Sequence, residues 1–137
     1  MNTKPYFADE ILISWEVYYE RFVAPFLIKI NRSENQNVDL ALCIGTCHAA
    51  YIDKTWDDLY HKKLVRFRYN IELLKANPEY YLSSQMKESI SFYKHKTKYF
   101  IEVGHHRTVI GRYYLNSQRK EEVIKGVYVV EYVTDQE

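Results

Sequence analysis

Lys98-Tyr-Phe-Ile-Glu-Val103, then Gly104-His105-His106-Arg107-Thr108, then Val109-Ile-Gly-Arg-Tyr-Tyr-Leu115: the reading of the fold turns on this stretch. Its first six residues alternate and are largely β-branched or aromatic, the pattern of a strand. Its last seven place Val109, Ile110, Tyr113 and Tyr114 at helical spacing. One glycine stands between, followed by two imidazoles and a guanidinium. Glycine adopts backbone angles at a strand-to-helix turn that other residues resist. The first N–H groups of a helix have no partners within it, and the helix dipole adds partial positive charge there. With His106 and Arg107 at that point, the turn is a candidate anion or phosphate site. The plainer alternative is a basic surface turn with no ligand.

Downstream, Gly126 to Thr134 reads Gly-Val-Tyr-Val-Val-Glu-Tyr-Val-Thr, the clearest strand in the chain. The motif helix should end near Asn116-Ser117. Upstream, Ile90-Ser91-Phe92-Tyr93 and Tyr99 to Val103 flank Lys94-His95-Lys96-Thr97, which predicts a β-hairpin. Asn77-Pro78 marks a turn or helix start, with a short helix expected over Pro78 to Glu88. Val65 to Ile71 alternates as a strand does, yet Leu64, Phe67, Ile71 and Leu74 also keep helical spacing. Periodicity alone leaves that segment open.

The amino-terminal half reads as helical. Asp9 and Glu10 precede Ile11, Leu12, Trp15, Tyr18, Tyr19, Phe22 and Phe26, an apolar stripe with acids in the first turn. We expect a helix from about Ala8, broken near Pro25 and resuming through Leu27, Ile28 and Ile30. Asn31 to Asn37 is polar and reads as a loop. Residues 38–52 fit a helix through Leu40, Ile44, Cys47 and Tyr51, and fit a strand through Val38, Leu40, Leu42 and Ile44. We take the helix, with Ala41, Gly45, Thr46, Ala49 and Ala50 allowing close packing. Thr55, followed by Trp56-Asp57-Asp58, looks like a capped helix start continued by Leu59, Tyr60 and Leu64.

At 137 residues one domain is the natural expectation, and 14 Tyr with 6 Phe supply much of a core or an interaction face. The net charge of +1 argues against bulk electrostatic binding of nucleic acid. A local basic patch remains open, because Lys94, Lys96, Lys98, Arg107, Arg112, Arg119, Lys120 and Lys125 outnumber the acids around them. We read that run as a solvated surface. Cys43, Cys47 and His48 lack the four-ligand set of structural zinc, so we expect no metal and read the thiols as buried on a helix face. Two cysteines give no disulfide framework. With no leader-like segment and no apolar run long enough for a bilayer, the expectation is a cytoplasmic protein without membrane contact.

The Gly-x-His-Arg pattern at Gly104 to Arg107 resembles the signature of the ParB/sulfiredoxin superfamily. The order strand, short helix, hairpin, motif turn, helix, strand over about residues 65–133 is similar too, as is Asn77-Pro78 after the first strand. The resemblance tips residues 65–74 toward strand. It implies an α/β (α+β) fold: a small mixed sheet of ParB/sulfiredoxin-like type over 65–137, with residues 1–64 as an added helical layer. It also implies that the turn holds nucleotide phosphates. Gly104 would allow backbone approach, His105, His106 and Arg107 would line the anion, and Thr108 would offer a hydroxyl. Ser83, Ser84 and Lys87 could assist. The implied ligand is a nucleotide, with Mg²⁺ if phosphate chemistry occurs, or another phosphorylated small molecule. Sulfiredoxins carry a catalytic cysteine where His105 stands, so reductase activity of that kind is not expected. ParB proteins bind CTP and continue into a helix-turn-helix region, and no such DNA-reading module is expected here. Glu102 could act as a base, though the plainer reading is a solvent-facing strand residue. His105 could carry protons, though the plainer reading is a solvated turn. The rival functions are a homodimeric, non-enzymatic interaction protein and a small nucleic-acid-binding factor.

Overall fold

The computed structural model describes residues 4–63, 72, 74–83, 86–87 and 89–135. Six strands form one mixed sheet in the order β1-β3-β5-β4-β6-β2. They are β1 (Ile13–Ser14), β2 (Leu27–Asp39), β3 (Cys43–Thr46), β4 (Ser91–His95), β5 (Lys98–Val103) and β6 (Val123–Thr134). β4 and β5 are the expected hairpin, turning at Lys96-Thr97 with Lys96 at φ 56°. Helix α3 (His105–Ser117) leaves β5 through Gly104 and crosses over to β6, which runs parallel to β4. The sequence reading of hairpin, turn, helix and final strand holds from Ser91 to Thr134.

The sheet buries different sets on its two faces. Beneath α3 lie Phe92, Ile101, Val127 and Val129, joined by Phe7, Leu12 and Trp56 from the amino-terminal half. The opposite face carries Tyr93, Phe100 and Tyr132, packed against Trp15, Tyr18 and Tyr19. Those three residues belong to α1 (Trp15–Tyr18) and the π-helical turn Tyr19–Val23 that extends it. A 3₁₀ turn, Ala24–Phe26, then ends the helical segment at Pro25 as expected.

The amino-terminal half departs from the helical reading in three places. Residues 8–12 are not helical. They bond backbone to backbone with 53–57, Asp57 N–H to Ala8 O at 3.0 Å and Leu12 N–H to Lys54 O at 3.0 Å. The helix starts only at Trp15, where Ser14 Oγ accepts the Val17 N–H. Leu27 to Asn37 is strand β2 rather than resumed helix and loop. β2 is an edge strand exposed on both sides over residues 28–37, so no buried face imposes an alternating pattern. Residues 38–52 are not a helix either. Val38 and Asp39 end β2, and a 3₁₀ turn (Leu40–Leu42), β3 and a second 3₁₀ turn (Ala49–Tyr51) follow. Gly45 explains the choice: a Cβ there would lie 2.4 Å from Phe100 Cδ2 and 2.6 Å from Ile13 O. Glycine thus lets β1, β3 and β5 close up, and the close packing foreseen for it is against strands.

The short helix α2 (Trp56–Asp58) begins as foreseen, with Thr55 Oγ1 accepting the Asp58 N–H at 2.9 Å, and runs on as a π-helical turn, Leu59–Lys63. The strand expected over Val65 to Ile71 lies outside the described residues, whereas Glu72 and residues 74–76 are helical. The helix foreseen from Pro78 is a 3₁₀ turn, Pro78–Tyr81. Among the described residues no helix is long and apolar enough to cross a membrane.

Candidate functional site

Gly104 sits at φ 89°, ψ 36° and serves as the N-cap of α3 without any side-chain cap. A Cβ there would stand 2.8 Å from Ser89 O and 3.0 Å from Ile90 Cγ1. Glycine therefore answers two demands at once, a left-handed backbone and close contact with the chain entering β4. The start of α3 thus lies at the end of β5 beside Tyr80, Ser89 and Ile90.

The five motif residues divide between rim and interior. His105, expected as a solvated turn residue, is only 6 % exposed. Its Nε2 lies 2.6 Å from Thr46 Oγ1, and its ring packs against Tyr51 and His48. Burial first, then the neighbouring His48 and His106, lowers its pKa to about 3. Neutral His105 shares a hydrogen bond with the Thr46 hydroxyl, and Thr46 Oγ1 also accepts the His48 N–H at 2.9 Å. This ring is a strut between α3 and β3, not a proton carrier at neutral pH. Thr108 is also fully buried, and its Oγ1 has no hydrogen-bond partner among the described residues. Its hydroxyl does not stand at the rim where the resemblance put it.

His106 and Arg107 stay half-exposed beside Gly104. Arg107 Nη2 donates to Ser89 O at 2.6 Å, and Nη1 donates to Tyr80 Oη at 3.2 Å. Ser89 is itself in the left-handed region at φ 59°, so the guanidinium fixes a strained bend. The same Tyr80 ring carries Lys87 on its face, with Nζ 5.3 Å from the centroid. Lys87 is buried, donating from Nζ to Ser83 O at 2.9 Å and to Lys125 O at 2.6 Å. Burial, aided by the Lys125 charge, lowers its pKa to about 8. Ser83 thus reaches Lys87 through its carbonyl, and Ser84 lies outside the described residues. Tyr80, Ser89 and Thr46 organise these groups, yet nothing in the sequence marks them: each meets its partner only through the tertiary fold.

The remaining candidates are placed elsewhere. Glu102 is half-buried on the face that carries Tyr93 and Phe100, accepting from Ser91 Oγ at 2.8 Å and Tyr93 Oη at 3.2 Å. It is neither bare to solvent nor beside the motif side chains. Cys43 and Cys47 are not on a helix face. Cys43 is buried in β3, and burial pushes its thiol up to about 12. Cys47 is exposed, and its Sγ donates to Glu102 O at 3.3 Å. Arg112 leaves the basic surface run altogether, being fully buried with Nε 2.8 Å from Glu122 Oε1. No group of three or more His, Cys, Asp or Glu poised for a metal occurs among the described residues.

Compared with known proteins, the chain matches no protein-family model, no curated protein and no solved structure.

Proposed function

We propose that the chain is a ParB/sulfiredoxin-like phosphate-binding protein, its ligand a nucleotide or another phosphorylated small molecule seated at the start of α3. One observation carries this reading: the half-exposed Arg107 donates to Tyr80 Oη beside the start of α3, with the buried Lys87 ammonium 5.3 Å from the same ring's centroid. A half-exposed guanidinium and a helix N-terminus at one rim favour a phosphate group. Gly104, His106 and Arg107 supply the approach, and His105 and Thr108 support it from inside. The donors at this rim suit the phosphates rather than a metal, so Mg²⁺ would arrive on the nucleotide.

A thermal-shift series with ATP, ADP, CTP and inorganic pyrophosphate, each with and without Mg²⁺, tests the proposal. The expected result is a rise in Tm that Arg107→Ala abolishes. No rise with any of them, or a rise untouched by the substitution, removes the reading.

A second reading, a non-enzymatic homodimer, draws on a separate observation. Edge strand β2 exposes Ile28 and Ile30 along thirteen residues of strand. Light scattering distinguishes it, since a dimer whose Tm ignores every nucleotide favours self-association. The nucleic-acid reading keeps only the surface lysines and arginines, without Arg112.

A further inference from the structure

At the end of α3 far from the motif turn lies a cavity of about 420 Å³, within the range of small-molecule sites, roughly 300–1,000 Å³. Leu82, Leu115 and Val123 give it an apolar lining, and Asn37, Lys120 and Lys125 give it a polar one. The fold fixes the backbone of both lysines. Lys120 N–H donates to Leu115 O at 3.0 Å, just past the end of α3. Lys125 lies in β6, where its carbonyl accepts from Lys87 Nζ at 2.6 Å. Among the described residues, neither lysine's ammonium nor the Asn37 side-chain amide has a hydrogen-bond or ion-pair partner. The exposed Glu121 also lines the cavity and pairs with neither lysine. After burial, the Lys125 charge is the second cause that lowers the Lys87 pKa to about 8. Positive charge is thus gathered at this wall and left without a bonded carboxylate.

We propose that this cavity binds a small amphipathic carboxylate, its charged end held by Lys120 and Lys125 and its hydrocarbon chain against Leu82, Leu115 and Val123. Ammonium groups that lack a protein partner reward an anion and oppose a cation. The apolar lining rewards a hydrocarbon chain, by up to about fourfold in affinity per buried CH₂. Inorganic phosphate forfeits the second gain and an alkylamine the first. Neither residues 104–108 nor Tyr80 and Ser89 line the cavity. This site and the phosphate rim therefore stand or fall separately.

Methyl-resolved NMR of the intact chain tests this, with octanoate below its micellar concentration as probe. Butanoate serves as the short-chain control and octylammonium as the control of opposite charge. The expected result is saturable shifts of the Leu82, Leu115 and Val123 methyl signals with octanoate. Butanoate should bind more weakly, by up to about fourfold for each CH₂ removed. Octylammonium should bind at least about tenfold more weakly, the scale of one hydrogen bond to a charged group. Lys125→Met should weaken octanoate by about tenfold, whereas Arg107→Ala should leave its affinity unchanged. Unmoved methyl signals at millimolar octanoate overturn the proposal. So does butanoate or octylammonium binding equally well, which needs no variant to detect. Unchanged affinity in Lys125→Met, or a loss in Arg107→Ala that moves the binding to the rim, overturns it too.

Discussion

Helix α3 carries two arginines five residues apart, and they live in opposite environments. Arg112 is sealed in the core, its guanidinium 3.8 Å from the Phe7 ring centroid and 4.5 Å from that of Trp56. Glu122, itself held by Tyr6 and Asn116, supplies the counter-charge. Arg107 stands half-exposed at the rim, reaching a backbone carbonyl and a phenol. The same side chain does different work according to depth. Arg112 pins the entering chain and the start of β6 to α3, whereas Arg107 shapes a surface that a ligand can reach.

The sharpest way to break that contrast is to truncate each arginine. Arg112→Ala should cost about 3–5 kcal/mol, because it leaves Glu122 buried without its cation and empties a space between aromatic rings. Arg107→Ala should cost no more than about 1.5 kcal/mol, the scale of hydrogen bonds near solvent. Urea denaturation measures both. Equal losses would mean that both arginines are structural, and the rim would lose its claim to a ligand.

Acid should expose the next difference, between the buried motif residue His105 and the half-exposed rim. Above pH 6.5, His105 is neutral whether the chain is folded or not. Below that, the unfolded chain takes a proton that the native ring refuses until about pH 3. Stability should therefore fall with acid across that window, by up to about 1.4 kcal/mol per pH unit. His105→Gln should flatten this slope in denaturation curves taken at successive pH values. An unchanged slope in His105→Gln would place the acid sensitivity elsewhere.

Gly104→Ala should cost at least about 1–2 kcal/mol from the left-handed backbone alone, and the approach to Ser89 O adds to it. It should also impair phosphate binding more than its loss of stability explains, if the rim is the site. The smallest effect separates the two thiols. A thiol reagent should modify Cys47 in the native protein and Cys43 only after unfolding, since Cys43 is buried and its pKa is pushed up to about 12. Equal reactivity would contradict the placement of Cys43 inside β3.

Legibility followed the same division between segments with one buried face and segments without. From Ile90 to Thr134 the sequence announces hairpin, turn, helix and strand, because each element there alternates between core and surface. β2 gives no such signal: both its sides meet water over residues 28–37, so its polar run reads as a loop. Residues 38–52 fit two periods equally, and the decision rests on Phe100 crowding Gly45 from a distant strand. The motif residues were visible as types, yet their directions were not. His105 turns inward to Thr46, 59 residues earlier in the chain. Arg112 looked like one more surface cation until Glu122, Phe7 and Trp56 were brought around it.

A pyrophosphate titration followed on the backbone amides of His105, His106 and Arg107 addresses the phosphate rim most directly. The account predicts saturable shifts at these three amides and at the Tyr80 ring, lost in Arg107→Ala and weakened in Lys87→Met. Amides that stay still while pyrophosphate perturbs other parts of the protein, or leaves all of it untouched, would contradict it.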